Sequence, residues 1–247
     1  MIDQHIPSDG TTRHQPDLDL ASPNPFGSLS VLNECLGGGS LENNLVNSGI
    51  SRALEVGVGW NFTTMKQLAR LSLQDQPIFS AENLLAIDFD LPPDENLADQ
   101  LGTYEGKFRR ERISVEQLQN RIIAGSTPPF DLIISEGVAS AGWENVGLEQ
   151  TDHEGLQKNK ESLKITLQAM RDCMNSNNPQ ALLMMSSKLE DEFLLLSRQD
   201  FEEAGLEVVH FLHADNIDWL EALQEAKIFP PEYDDAGYRL VICKVKQ

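Results

Sequence analysis

Ala53-Leu54-Glu55-Val56-Gly57-Val58-Gly59 sets a short, mostly apolar run directly against two glycines. The run suits a strand covered on both faces, and the glycines turn the backbone more sharply than most side chains allow. From 63 to 72 the apolar spacing is helical, so the segment predicts a strand, a glycine turn and a helix. In that geometry a ligand can approach the amides of the turn closely, and the start of the helix favours a negative group. A dinucleotide-binding turn would place a third glycine at 62, where this chain has Phe62. The phosphate loop of nucleotide hydrolases needs Gly-Lys-Ser/Thr after the turn, and Trp60-Asn61-Phe62-Thr63-Thr64 has no lysine. The turn therefore points away from NAD and from ATP hydrolysis.

Working outward, apolar runs of strand length alternate with helical spacing along the rest of the chain. Strands are predicted at 52–56, 84–89, 108–113, 130–135, 181–186, 206–212 and 238–245. Helices are predicted at 63–72, 94–101, 115–124, 154–175, 190–204 and 216–226, with Ser114 and Gln117 forming a capping-box pattern at the start of one of them. The alternation predicts an α/β, doubly wound, mostly parallel seven-stranded sheet. Its last strand runs back antiparallel, because too little chain follows residue 212 for a full crossover and a further return. Ligands collect beyond the carboxyl ends of such strands.

Residues 1–26 are polar and carry Pro7, Pro16, Pro23 and Pro25, so they read as a disordered tail. Residues 27–50 read as a helical lead-in, with Ser40 as an N-cap and Gly49 closing the second helix, and 51–247 as the main domain. The first residues form neither a signal peptide nor a spanning segment, and no later apolar run has bilayer length, so the expectation is a cytoplasmic protein with no membrane partner. Cys35, Cys173 and Cys243 are isolated and suggest neither a metal site nor a disulfide. With 39 acidic against 19 basic side chains the formal net charge is −20, from which no nucleic-acid partner is expected. The basic run Lys107-Phe108-Arg109-Arg110-Glu111-Arg112 falls on a strand expected at the sheet edge, where charge prevents edge-to-edge pairing.

Asp88 ends the second strand in Leu84-Leu-Ala-Ile-Asp-Phe-Asp90, where an acceptor-only carboxylate can take both hydroxyls of a ribose. Asp90 can take that role if the strand ends later. Taken in order, Leu54-Glu-Val-Gly-Val-Gly59, Ile87-Asp88 and Phe130-Asp-Leu-Ile-Ile-Ser-Glu-Gly-Val138 resemble the successive motifs of class I S-adenosylmethionine-dependent methyltransferases. The resemblance runs from about Ser51 to the C-terminus. It implies a Rossmann-like methyltransferase fold with S-adenosylmethionine as cofactor, Glu55, Gly57 and Gly59 around its methionine part, and Asp88 on its ribose. It also implies an adenine contact just after the third strand, near Ser114, and places Ser135 at the end of the fourth beside the cofactor.

The fourth strand lacks the Asn/Asp-Pro-Pro-Tyr sequence used on target amines, which disfavours nucleobase and many protein amino acceptors. The expected activity is methyl transfer to a small-molecule acceptor, with Glu136 or His153 as the base that frees a hydroxyl of its proton. The alternative is a catalytically silent, methyltransferase-like binding or partner subunit. The loop 136–153 and the segment 215–236, which carries Trp219 and Tyr233, are expected to overhang the pocket as a lid. The oligomeric state is not encoded in any motif.

Overall fold

A computed structural model describes residues 28–58, 62–89, 91, 101–136, 138, 140–142, 153–186, 192–213 and 238–246. The tail 1–26, the turn residues Gly59, Trp60 and Asn61, Asp90, nearly all of the helix expected at 94–101, the helix expected at 216–226 and the lid segment 215–236 lie outside the described residues. The side chain of His153 does too.

The central sheet is built from β1 (Ala53–Val56), β4 (Leu84–Ile87), β5 (Arg109–Glu111), β6 (Leu132–Glu136), β8 (Leu182–Ser186), β10 (Leu206–His213) and β11 (Tyr238–Val245). Two small ribbons accompany it, β2 (Ser72–Leu73) with β3 (Gln76–Pro77), and β7 (Ser140–Gly142) with β9 (Glu192–Leu194). The sheet order is β5-β4-β1-β6-β8-β11-β10. The pairs β1/β4, β1/β6, β4/β5 and β6/β8 are parallel, and β11 lies antiparallel between β8 and β10. All seven expected strands are present, and β11 runs antiparallel between β8 and β10 as expected.

Helices cover both faces, which is why β1, β4 and β8 are buried at every position. α1 (Ser28–Cys35), α2 (Leu41–Asn47) and α3 (Thr63–Arg70) bury Leu32, Leu45, Met65 and Leu68 against Ala53, Leu84, Ala86, Leu132 and Ile134. α4 (Val115–Ile123), α5 (His153–Cys173) and α6 (Arg198–Glu203) bury Leu118, Leu167, Met170 and Phe201 against Leu54, Leu85, Ile133 and Leu183. The alternation of side chains along each strand divides the two cores. The lead-in helices thus belong to the same sheet packing as the rest of the chain.

The capping box at Ser114 and Gln117 forms as expected. The helix expected at 190–204 does not: its first part is β9, and α6 starts only at Arg198. The physical reason is a second capping box, in which Ser197 and Asp200 exchange hydrogen bonds and fix the helix start. Leu194, Leu195 and Leu196 before it are all buried, as an extended segment over a core requires. At the edge strand β5, Arg109 pairs with Glu111, which in turn pairs with Arg121 of α4. The charged edge is therefore tied internally.

Candidate functional site

The chain leaves β1 outward to β4 and β5 and then returns to β6 on the other side of β1. This reversal opens a crevice at the carboxyl ends of β1 and β6, the position where open α/β sheets bind ligands. Glu55 on β1, Asp88 just past β4 and Glu136 on β6 all stand at that end.

Glu55 points to the face that carries α3. Its register partner on β6 is Ile134, whose side chain lies in the α3-side core, and Glu136 follows two residues later on the same face. α3 begins at Phe62, which has φ +51 and offers no side-chain cap. Glu55 supplies the missing acceptor, because the Met65 N–H donates to its Oε2 at 3.2 Å. The Thr64 hydroxyl donates to Glu136 Oε1 at 3.4 Å. The start of α3, expected to welcome a negative ligand group, is thus already met by two carboxylates of the protein itself. Phe62 is fully buried and its ring packs 5.7 Å from that of Phe108. This packing holds a bulky residue in a left-handed conformation that bulky residues rarely adopt.

Glu55 is 3% exposed. Burial pushes its carboxyl up to about 8, the negative charges of Glu136 and Asp88 push the same way, and the Met65 N–H opposes them. At neutral pH the Glu55 carboxyl is mostly protonated and donates or accepts, while the site as a whole remains acidic. Such a constellation attracts cations and repels phosphates.

Gly57 has φ +76, and its N–H donates to the Ile87 carbonyl at 3.0 Å, extending the β1–β4 ladder by one residue. A Cβ built on Gly57 would stand 2.1 Å from Val138 Cγ2. The closest approach that glycine permits here is therefore to Val138, in the loop leaving β6. Asp88 is half-buried, and its N–H donates to the Glu111 carbonyl at 3.4 Å, so its backbone is fixed to β5.

The other expected residues are less concentrated. Ser114 spends its backbone N–H and one oxygen lone pair on the capping box, at 2.9 and 3.1 Å, which leaves only its O–H for a ligand. Ser135 pairs in register with Val56 and faces the opposite side of the sheet from Glu55 and Glu136. Its buried Oγ has no hydrogen-bond partner among the described residues. His153 opens α5, and Gly59 is outside the described residues. Thr64 and Val138 were not anticipated. Thr64 could have been found from Thr63-Thr64 following the glycine turn, whereas nothing local marks Val138.

No protein-family model matches the chain, and no curated protein matches it. Among solved structures it is similar to NSun6 from Pyrococcus horikoshii with SFG, at 11% identity and TM-score 0.50 over 90% of this chain and 52% of that one. It is similar to an S-adenosylmethionine-dependent methyltransferase from Clostridium acetobutylicum, at 10% identity and TM-score 0.43 over 83% of this chain and 89% of that one. A third is the 16S rRNA methyltransferase KamB, at 13% identity and TM-score 0.41 over 80% of this chain and 88% of that one. The chain spans about half the length of the NSun6 chain. The expectation of a small-molecule partner with no nucleic acid is withdrawn. Net charge is a sum over the whole chain, whereas phosphate recognition depends on where basic groups cluster, so a total of −20 excludes no acceptor class. No helix among the described residues is long and apolar enough to cross a membrane. The strand order and the antiparallel β11, together with the likeness to NSun6, give the chain the fold of the class I S-adenosylmethionine-dependent methyltransferases.

Proposed function

We propose that the chain binds S-adenosylmethionine in the crevice at the carboxyl ends of β1, β4 and β6 and transfers its methyl group to an acceptor. The observation that carries this reading is the convergence of Glu55, Asp88 and Glu136 there, with the Met65 N–H and the Thr64 hydroxyl already holding two of them. The donor set suits a ligand with a positive sulfonium and ammonium, and it disfavours NAD and nucleoside triphosphates, whose phosphates would meet acidic groups. When bound, the cofactor supplies a methyl group on sulfur that leaves by in-line displacement, a reaction that depends mainly on orientation.

In this reading Asp88, fixed through its backbone to β5, accepts the ribose hydroxyls. Glu55 and Glu136 lie beside the methionine part and balance its positive charge. Ser114 offers its hydroxyl toward the adenine end, and Gly59 lies beside the methionine part. Glu136 or His153 receives a proton from an acceptor hydroxyl. Ser135, near the carboxyl end of β6 on the other face of the sheet, offers its buried Oγ to the cofactor.

Titration calorimetry of the full chain with S-adenosylmethionine tests the proposal. Binding is expected, with Asp88→Ala weakening it by about 1.5–3 kcal/mol, the usual scale for hydrogen bonds to a charged group. No heat from the folded wild-type chain would reject the cofactor. Binding without methyl transfer to any of a panel of small-molecule, protein and RNA acceptors would favour the silent partner subunit.

A further inference from the structure

Glu55 and Glu136 reach the same turn of α3 from neighbouring strands, and α3 gives each of them one donor. Met65 N–H serves Glu55 Oε2 at 3.2 Å, and the Thr64 hydroxyl serves Glu136 Oε1 at 3.4 Å. Glu55 is 3% exposed, and its second oxygen, Oε1, receives no hydrogen bond from any described residue. No Lys or Arg among the described residues lies within ion-pair distance of it. Among the described residues, the groups that face it are Glu136 from β6, Asp88 just past β4, and Thr64 and Met65 from α3.

A carboxyl in that position has two ways to be stable. It can keep its proton, or it can ionise against a positive charge brought in from outside. Burial, Glu136 and Asp88 together push its titration up to about 8, so the proton is present at neutral pH.

We infer that Glu55, with the charge of Glu136 beside it, selects the cofactor by charge: binding of a ligand with a positive sulfur at this end of the sheet is coupled to release of the Glu55 proton, and the uncharged thioether left after methyl transfer lets it return. The inference rests on the S-adenosylmethionine reading above. Glu55 goes from carboxylic acid to carboxylate, the proton passes to solvent, and no bond to the ligand is made. The two forms of the cofactor share ribose, adenine, ammonium and carboxylate. They differ in the charge on sulfur, so the pair acts on that difference alone. It favours entry of the methyl donor and release of the spent product, and it makes Glu55 and Glu136 specificity-determining residues.

The experiment is calorimetry of the full chain with S-adenosylmethionine and with its demethylated product, each in two buffers of different ionisation enthalpy. The donor is expected to release about half to one proton more than the product at pH 7. Its affinity should rise by up to about tenfold per pH unit between pH 6 and 8 while that of the product stays flat. Glu55→Gln keeps the shape and the acceptor for Met65, so it should bind the donor with no proton release and no pH dependence. Glu136→Gln, which removes the neighbouring charge, should reduce the release and move the pH dependence to lower pH. Equal proton counts for donor and product, or a donor-to-product affinity ratio constant from pH 6 to 8, overturn the inference and leave the cofactor reading standing. Failure of both ligands to bind overturns the two together.

Discussion

Two carboxylates at opposite ends of neighbouring strands, each 3% exposed, behave in opposite ways. Asp131, at the amino end of β6, accepts from the Ser51 N–H at 3.0 Å, the Ser51 hydroxyl at 3.1 Å and the Arg52 N–H at 3.2 Å. It also accepts from the side-chain amides of Asn175 at 2.8 Å and Asn178 at 3.1 Å. Burial alone would raise its titration, but the donors of Ser51, Asn175 and Asn178 outweigh burial and hold the carboxyl below its ordinary range. Glu55, at the carboxyl end of β1, has one N–H and two acidic neighbours and titrates at about 8. Burial raises both carboxyls; what separates them is that Asp131 has several donors around it, whereas Glu55 has one donor and two acidic neighbours. One end of the sheet spends its polar groups on stability. The other leaves an acceptor poorly satisfied, as a site that awaits a charged ligand would.

The largest effect expected from this contrast is at the stable end. Asp131→Ala strips the acceptor from buried donors on Ser51, Arg52, Asn175 and Asn178, tying the start of β1 to the loops after α5 no longer. It should cost about 4 kcal/mol in urea unfolding, since each orphaned buried donor carries its own desolvation penalty. Asp131→Asn keeps one acceptor oxygen but turns an amide toward other donors, so it should fall between alanine and wild type. A loss under about 1 kcal/mol for Asp131→Ala would erase the distinction between the two ends.

The next effect is in the pH dependence of stability. Glu55 binds its proton more tightly in the folded chain, so between the ordinary glutamate value near 4.3 and about 8 the folded state holds a proton that the unfolded state has lost. Stability from this group therefore falls as pH rises across that window, by at most about 1.4 kcal/mol per pH unit, and levels off above it. Asp131 has the reverse sign: its contribution is full above the ordinary aspartate value and is lost as pH falls through its lowered folded value. Denaturation of wild type and Glu55→Gln from pH 5 to 9 separates the two. The curves should nearly meet at pH 5 and differ by a few kcal/mol at pH 8, the variant being more stable. Parallel curves would mean that Glu55 does not titrate in this range.

The frame of the molecule was readable because its signals are local. Runs such as Leu84-Leu-Ala-Ile and Leu182-Leu-Met-Met-Ser are apolar at every position only when both faces are covered, and each formed the expected strand. Ser114 and Gln117 announced a helix start by spacing alone. The same spacing at Ser197 and Asp200 was present and overlooked in favour of a longer helical pattern, which is why α6 begins later than expected. The state of the site was not readable in this way. Glu55 and Glu136 are 81 residues apart in number and meet only because β6 returns beside β1, and Val138 covers Gly57 through the same return. A net charge of −20 said still less, since it averages over the positions that decide binding.

Gly57 tests whether the carboxyl end is shaped by the protein as well as by a ligand. Alanine there must adopt φ +76, and its Cβ would lie 2.1 Å from Val138 Cγ2, so either the turn or the loop after β6 must move. A cost of about 2 kcal/mol is expected, roughly half of it conformational. Val138→Ala combined with Gly57→Ala should recover the steric half and leave the conformational half, a coupling that a double-mutant cycle in urea measures directly. Simple additivity of the two changes would show that Val138 is not what the glycine accommodates.

The smallest expected change is at Thr64, and it joins the two carboxylates most closely. Thr64 is buried, and at 3.4 Å its hydroxyl makes a long hydrogen bond to Glu136. Thr64→Val keeps the volume and removes the donor, so the direct loss should be about 0.5–1 kcal/mol. Its greater interest is electrostatic. The Thr64 donor draws part of the Glu136 negative charge away from Glu55, so without it that charge acts more fully on Glu55 and holds the Glu55 proton to higher pH. The fall in stability that Glu55 produces should therefore extend further toward alkaline pH in Thr64→Val than in wild type. Thr64→Ser, which restores the hydroxyl, should return the profile to its original position. An unchanged profile in Thr64→Val would mean that α3 steadies Glu136 without tuning the Glu55 proton.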